Sequence, residues 1–138
     1  MSKNAIYVSI KPKYTKLIET GVKNYEFRNY CPKDKFNKLY VYESFPASSL
    51  KYIIEIGDII KYPNKIKKDG YGNKEFNDGL KSAKYAYEII GVYKYKEPLK
   101  LEILRSKFNF SPPQAYSYDS TYIELTNYIE KYEKTKII

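Results

Sequence analysis

Four segments of this chain carry strand chemistry, so a sheet is the frame of any fold it adopts. Residues 5–10 (AIYVSI) are rich in β-branched and aromatic side chains, and residues 38–43 alternate strictly, with Leu39, Val41 and Glu43 on one face and Lys38, Tyr40 and Tyr42 on the other. Phe45-Pro46 should end that strand. Residues 50–60 (LKYIIEIGDII) read as a strand pair or one bulged strand bending at Gly57-Asp58, and residues 84–95 (KYAYEIIGVYKY) as a strand with a bulge at Gly91.

Helical spacing is expected near each end. Pro12 suits a first helical turn, Tyr14, Leu17 and Ile18 follow at i, i+3 and i+4, and Gly21 is a natural stop. Near the C-terminus, Thr121-x-x-Glu124 reads as a capping box opening a helix with Tyr122, Leu125, Ile129 and Tyr132 along one side. The stretch between Pro63 and Gly79 (containing KIKKDGYGNKEFNDG) is too polar for a core and reads as an exposed loop, either ligand-touching or a tolerated insertion. Five or more strands with an early and a late helix predict an α+β domain on a curved, mostly antiparallel sheet or small barrel, with residues 1–138 as a single unit.

Composition narrows the chemistry. The chain has no histidine and one cysteine, Cys31, so a histidine-based triad is excluded, no metal site or cofactor is expected, and no internal disulfide can form. A lone thiol fits a reducing cytoplasm. No apolar run approaches a membrane span, and MSKNAIYVSIKPK lacks the apolar core of a signal peptide, so no membrane association is expected. The formal charge is +9, of which residues 1–74 carry +8 while residues 101–138 balance to zero. The joint richness in Lys, Ile, Tyr and Asn reflects in part an AT-rich coding bias, but the placement of the surplus points to a polyanionic partner.

That basic half contains Gly21-Val-Lys-Asn-Tyr-Glu-Phe-Arg28. If residues 24–28 form a strand, Asn24, Glu26 and Arg28 share one face and Tyr25 and Phe27 the other, with Lys23 at the strand mouth. A lysine that acts as a base or nucleophile needs burial or neighbouring cations, here Arg28 and Lys11, whereas a Lys23–Glu26 pair keeps both groups charged and suits binding. Arg28 suits bidentate recognition of phosphate or carboxylate, or a clamp on Glu26. Tyr42, Glu43 and Ser44 close a strand whose end can enter a cleft, and Gln114 and Tyr116 in Phe110-Ser-Pro-Pro-Gln-Ala-Tyr116 can read and stack on a base, or else only pack that segment.

The order strand, Ser9-Ile-Lys11-Pro12, helix, Gly21-x-Lys23-x-x-Glu26-x-Arg28 and Tyr40-x-Tyr42-Glu43-Ser44 resembles the ASCH family of the PUA-like superfamily. All four positions of the pattern Gly-x-Lys-x-x-Glu-x-Arg match, and the Phe110–Tyr116 segment is similar to one in small prokaryotic members. The resemblance implies a small PUA-like curved β-barrel with helices at its rim and a cleft lined by the motif. It also implies RNA or a modified nucleoside or nucleotide as ligand. Taken with the residue reading above, Ser9, Lys11, Lys23, Glu26, Arg28, Tyr42, Ser44, Gln114 and Tyr116 are the expected contacts.

Some ASCH relatives remove an acyl group from N4-acylated cytidine and others are ribonucleases. In the amidohydrolase branch the motif lysine works with a threonine and a distant glutamate. Lys23 matches the lysine, but Glu26 occupies the threonine position and has no hydroxyl to offer. Recognition of RNA or a modified nucleotide is therefore the leading expectation. The alternatives are a metal-independent nucleoside amidohydrolase or ribonuclease using Lys23 with Glu26 or Glu43, and a small regulatory domain binding a protein through the lysine-rich residues 64–74.

Overall fold

The computed structural model describes residues 4–138. The chain runs β1 (Ala5–Ile10), α1 (Pro12–Glu19), β2 (Tyr25–Arg28), β3 (Lys38–Glu43), β4 (Ser49–Lys61), α2 (Asn73–Asn77), β5 (Tyr85–Lys100), α3 (Leu101–Phe108), β6 (Ser117–Tyr118), α4 (Ile123–Glu130) and β7 (Lys134–Lys136). The sheet order is β2-β5-β4-β3-β1-β6, and β7 pairs with β5. Only β1 and β3 are parallel among these pairings, joined through α1 and β2. The long β4–β5 ribbon shifts register between Leu50 and Tyr52, Glu55 and Ile56, and Ile56 and Ile59. Such bulges bend a ribbon and increase its twist, which curls the sheet into a half-barrel.

Alternation along the strands builds a core on each face. Ala5, Tyr7, Tyr40 and Tyr42 pack with Leu104 of α3, Phe110, and Leu125 and Ile129 of α4. Ile6, Val8, Ile10, Leu39 and Val41 pack with Ile18 of α1. A third, smaller cluster joins Tyr25 of β2 and Ala86 of β5 to Ile66 and Phe76, with Phe27 against it.

The 50–60 segment is one bulged strand, and Leu39/Tyr40 alternation sends neighbours to opposite cores as expected. Three features differ from the sequence expectations. The polar 63–79 stretch is not simply an exposed loop: it contains α2, and Ile66 and Phe76 are buried because the Tyr25 face of β2 offers them an apolar partner. A further helix, α3, follows Pro98 and Lys100, burying Leu104 and ending at Asn109, whose φ of 52° suits an asparagine cap. The Thr121-x-x-Glu124 capping box does not form. A 3₁₀ turn over Asp119–Tyr122 precedes α4, so Tyr122 occupies the cap position and Thr121 lies inside the turn. Among the described residues no helix is long and apolar enough to cross a membrane.

Candidate functional site

The end of α1 aims the chain at the site. Pro12 begins the helix, and the N–H groups of Tyr14 and Thr15 donate to Lys11 O. Gly21 ends it with φ +83°, its N–H donating to Ile18 O at 3.1 Å while the Lys23 N–H donates to Leu17 O at 3.0 Å. This reversal carries Lys23 under the helix rather than into solvent.

Lys23 is only 4% exposed. Its Nζ donates to Tyr25 O at 2.7 Å, lies 3.5 Å from Glu26 Oε1, and sits 4.4 Å from the Phe27 ring centre and 5.8 Å from that of Tyr14. An ammonium has three donors, and two have partners among the described residues. Burial pushes the Lys23 pKa below its ordinary value, with Lys81 and Arg28 adding to the effect and Glu26 opposing it.

Glu26 is shared by two cations. Arg28 donates to Glu26 Oε2 from Nε at 2.9 Å and lies 2.8 Å from it through Nη2. Nη2 also donates to Ser9 O at 3.1 Å and Nη1 to Tyr30 Oη at 3.2 Å, so four of the five guanidinium donors have partners among the described residues. Burial opposes the Arg28 charge, but Glu26 and Tyr30 outweigh it and raise the guanidinium pKa. Of the two roles expected for Arg28, the geometry displays the clamp on Glu26. Tyr30 Oη passes the chain on to Ala115 O at 2.7 Å, and Ser9 Oγ donates to Pro113 O at 2.8 Å. The 113–116 segment is thereby fastened beside the motif. Tyr116 packs on Tyr30 with ring centres 5.1 Å apart, and Gln114 is exposed.

A recess of about 370 Å³ opens over Lys23, lined by Tyr14, Lys23, Phe27, Tyr71, Lys81, Ser82 and Ala83. Its far wall comes from the polar stretch. The Tyr71 N–H donates to Val22 O at 2.9 Å, Asn24 Nδ2 to Asp69 O at 2.9 Å, and Asn73 Nδ2 to Asn24 Oδ1 at 2.9 Å. These bonds stitch residues 69–73 to the mouth of β2 and set Tyr71 across from Tyr14, ring centres 6.2 Å apart. Lys81 Nζ stands 4.7 Å from the Phe27 ring centre.

The other residues singled out in the sequence lie elsewhere. Glu43 accepts from Thr15 Oγ1 at 2.7 Å and pairs with Lys51 at 3.4 Å, so its bonded partners do not include Lys23. Tyr42 is buried in the opposite core against Phe110. Ser44 is half-buried with its N–H on Ile10 O, and Lys11 is an exposed helix cap. Sequence reasoning missed the recess roles of Tyr14, Phe27, Tyr71, Lys81 and Ser82. Phe27 and Tyr14 sat beside the motif as core-type positions, while Tyr71 and Lys81 carried no local signal. Among the described residues no three His, Cys, Asp or Glu side chains cluster as a metal site would require.

No family model and no curated protein matches this sequence. Solved structures do match. A tyrosine-to-phenylalanine variant of the ASCH protein of Zymomonas mobilis superposes with a TM-score of 0.72 at 17% identity, covering 95% of this chain and 100% of that one. A serine-to-alanine variant of that protein gives 0.64 at 18% identity over 90% and 97% of the two chains. The Zymomonas mobilis ASCH structure without a named substitution gives 0.63 at 17% over 88% and 94%. At such identity the likeness is one of fold.

Proposed function

We propose that this chain, which has the fold of an ASCH domain, is a nucleotide-recognition domain that binds RNA or a modified nucleotide in the recess over Lys23. The observation that carries the proposal is the recess itself: a buried ammonium with a donor to spare, ringed by Tyr14, Phe27 and Tyr71 in a space of about 370 Å³. Ligand pockets fall at roughly 300–1,000 Å³, with apolar walls and a few fixed polar groups. Tyr71, 37% exposed, offers a face on which a base can stack, and Lys23 offers a hydrogen bond to a carbonyl or an anionic oxygen.

The test is fluorescence anisotropy of labelled single-stranded RNA. Binding should weaken steeply between about 50 and 200 mM salt. Tyr71→Ala should weaken it about 5- to 150-fold, since a base stacked on an aromatic ring gains about 1–3 kcal/mol. Absence of binding at low salt sinks the proposal.

The depressed Lys23 pKa favours one second reading, a metal-independent hydrolase acting on an N-acylated nucleoside or on RNA, in which neutral Lys23 takes or delivers a proton. Turnover that vanishes in Lys23→Ala and survives in Lys68→Ala supports it. Wild-type protein inert toward acylated cytidine and RNA excludes it for those substrates.

A further inference from the structure

The charge balance around the recess is uneven. Glu26 is the carboxylate within salt-bridge distance of Lys23, and Arg28 already holds it more closely, at 2.8 Å against 3.5 Å. Lys81 has no carboxylate within salt-bridge distance among the described residues, and its ammonium lies over the same Phe27 ring as that of Lys23. Two cations therefore share one carboxylate, a third stands beside the same ring without one, and no acidic side chain lines the recess.

Two ammonium groups beside one ring repel each other, and Lys81 does act on Lys23 in that sense. Burial makes the repulsion harder to screen. A neutral nucleoside leaves this surplus unanswered, whereas an anion between the two lysines relieves it. The wall supplies a further polar residue in Ser82, which is exposed. The aromatic side chains leave space beside the cations for the rest of the ligand.

We propose that the recess selects nucleotides carrying a phosphomonoester, with Lys23 and Lys81 holding the phosphate and Tyr14 and Tyr71 flanking the base. This rests on the nucleotide-recognition reading above and narrows it. The shared chemistry is a phosphate monoester on a nucleoside, supplied by a free mononucleotide or by the terminus of an RNA chain. Lys81 then becomes a specificity residue, because it bears on the phosphate and not on the base. Lys23 anchors both kinds of ligand.

Isothermal titration with the full chain tests this, using the four nucleosides, their 5′- and 3′-monophosphates, and a five-nucleotide RNA with either a phosphate or a hydroxyl at each end. A monophosphate should bind at least about tenfold tighter than its nucleoside, a difference of about 1.4 kcal/mol. Lys81→Ala should erase that preference, so that monophosphate and nucleoside bind this variant equally, and Lys81→Arg should retain most of it. Lys107→Ala, on α3 away from the recess, should leave the preference unchanged. Preference for mononucleotides over end-phosphorylated RNA identifies the free nucleotide as the source, and the reverse identifies the RNA terminus. Equal affinity for phosphorylated and unphosphorylated ligands, or a preference that survives Lys81→Ala, overturns the phosphate assignment while leaving nucleotide recognition standing. No binding by any probe overturns both.

Discussion

Replacing Arg28 with methionine should destabilise the protein by about 3–5 kcal/mol, the usual cost of removing one partner from a buried ion pair. The size follows from what the guanidinium holds. It supplies two close contacts to Glu26 Oε2, at 2.8 and 2.9 Å, and bonds to Ser9 O and Tyr30 Oη at 3.1 and 3.2 Å. Its side chain is 13% exposed and that of Glu26 8%, so water cannot readily replace the lost donors. Lys23 remains, but at 3.5 Å and on the other carboxylate oxygen, Oε1. Methionine retains much of the apolar stem, so most of the loss is the stranded carboxylate rather than a cavity.

Urea denaturation at pH 7 should report the change, and a thermal scan should show a midpoint lowered by about 10–15 °C for a domain of this size. Combining the substitution with Glu26→Gln isolates the pair. The double variant should be more stable than the sum of the single losses implies, by at least about 1.5 kcal/mol, because the amide removes the unpaired charge. A loss below about 1 kcal/mol for Arg28→Met, or strict additivity in the cycle, would falsify the view of Arg28 as a buried clamp on Glu26.

Lys23→Met should leave Glu26 paired with Arg28 and remove a buried ammonium, so stability at pH 8 should equal or exceed wild type while RNA binding is lost. The sign with pH follows from the depressed Lys23 pKa: the unfolded chain takes up the proton more readily than the folded one, so this residue's unfavourable contribution is relieved as pH rises through the folded pKa toward 10.5. Urea titrations of both proteins should therefore converge as pH rises toward 10.5, and a gap that widens refutes the assignment. Gly21→Ala should cost about 1–2 kcal/mol by denaturation, because φ is +83° while no atom lies within 4 Å of the added methyl group. Phe76→Ala, at a site 1% exposed, should undock residues 64–79, seen as faster amide exchange there than in β1 and β3, together with loss of RNA affinity. Unchanged affinity would separate that segment from the site.

Much of the frame was legible because alternation and helix punctuation are local. β1, β3 and the bulged β4 follow from side chains two apart, and α1 follows from Pro12, the Tyr14–Ile18 spacing and Gly21. The capping box was misleading for a related reason: Thr121 and Glu124 have the right spacing, but the turn over Asp119–Tyr122 is tied by Thr126 Oγ1 to Asp119 O and by Tyr7 to Thr126, contacts invisible in the pattern. Helix α3 was short and mixed in character, and Leu104 became its anchor only once the Tyr7–Tyr42 face of the sheet existed.

The motif by itself determined that Lys23, Glu26 and Arg28 would meet, because a helix stop and a two-residue strand period bring them together within one short segment. It did not determine which cation would claim the carboxylate, nor that Glu43 would turn to Thr15 and Lys51 instead. The recess was decided by tertiary structure alone. Ile66 and Phe76 sink onto the Tyr25 face, Asn73 and Asn24 lock the crossing, and only then do Tyr71 and Lys81 stand over Lys23. Those contacts join residues far apart in the chain, so their pairing rests on complementary buried surface and shared hydrogen bonds rather than on any local period.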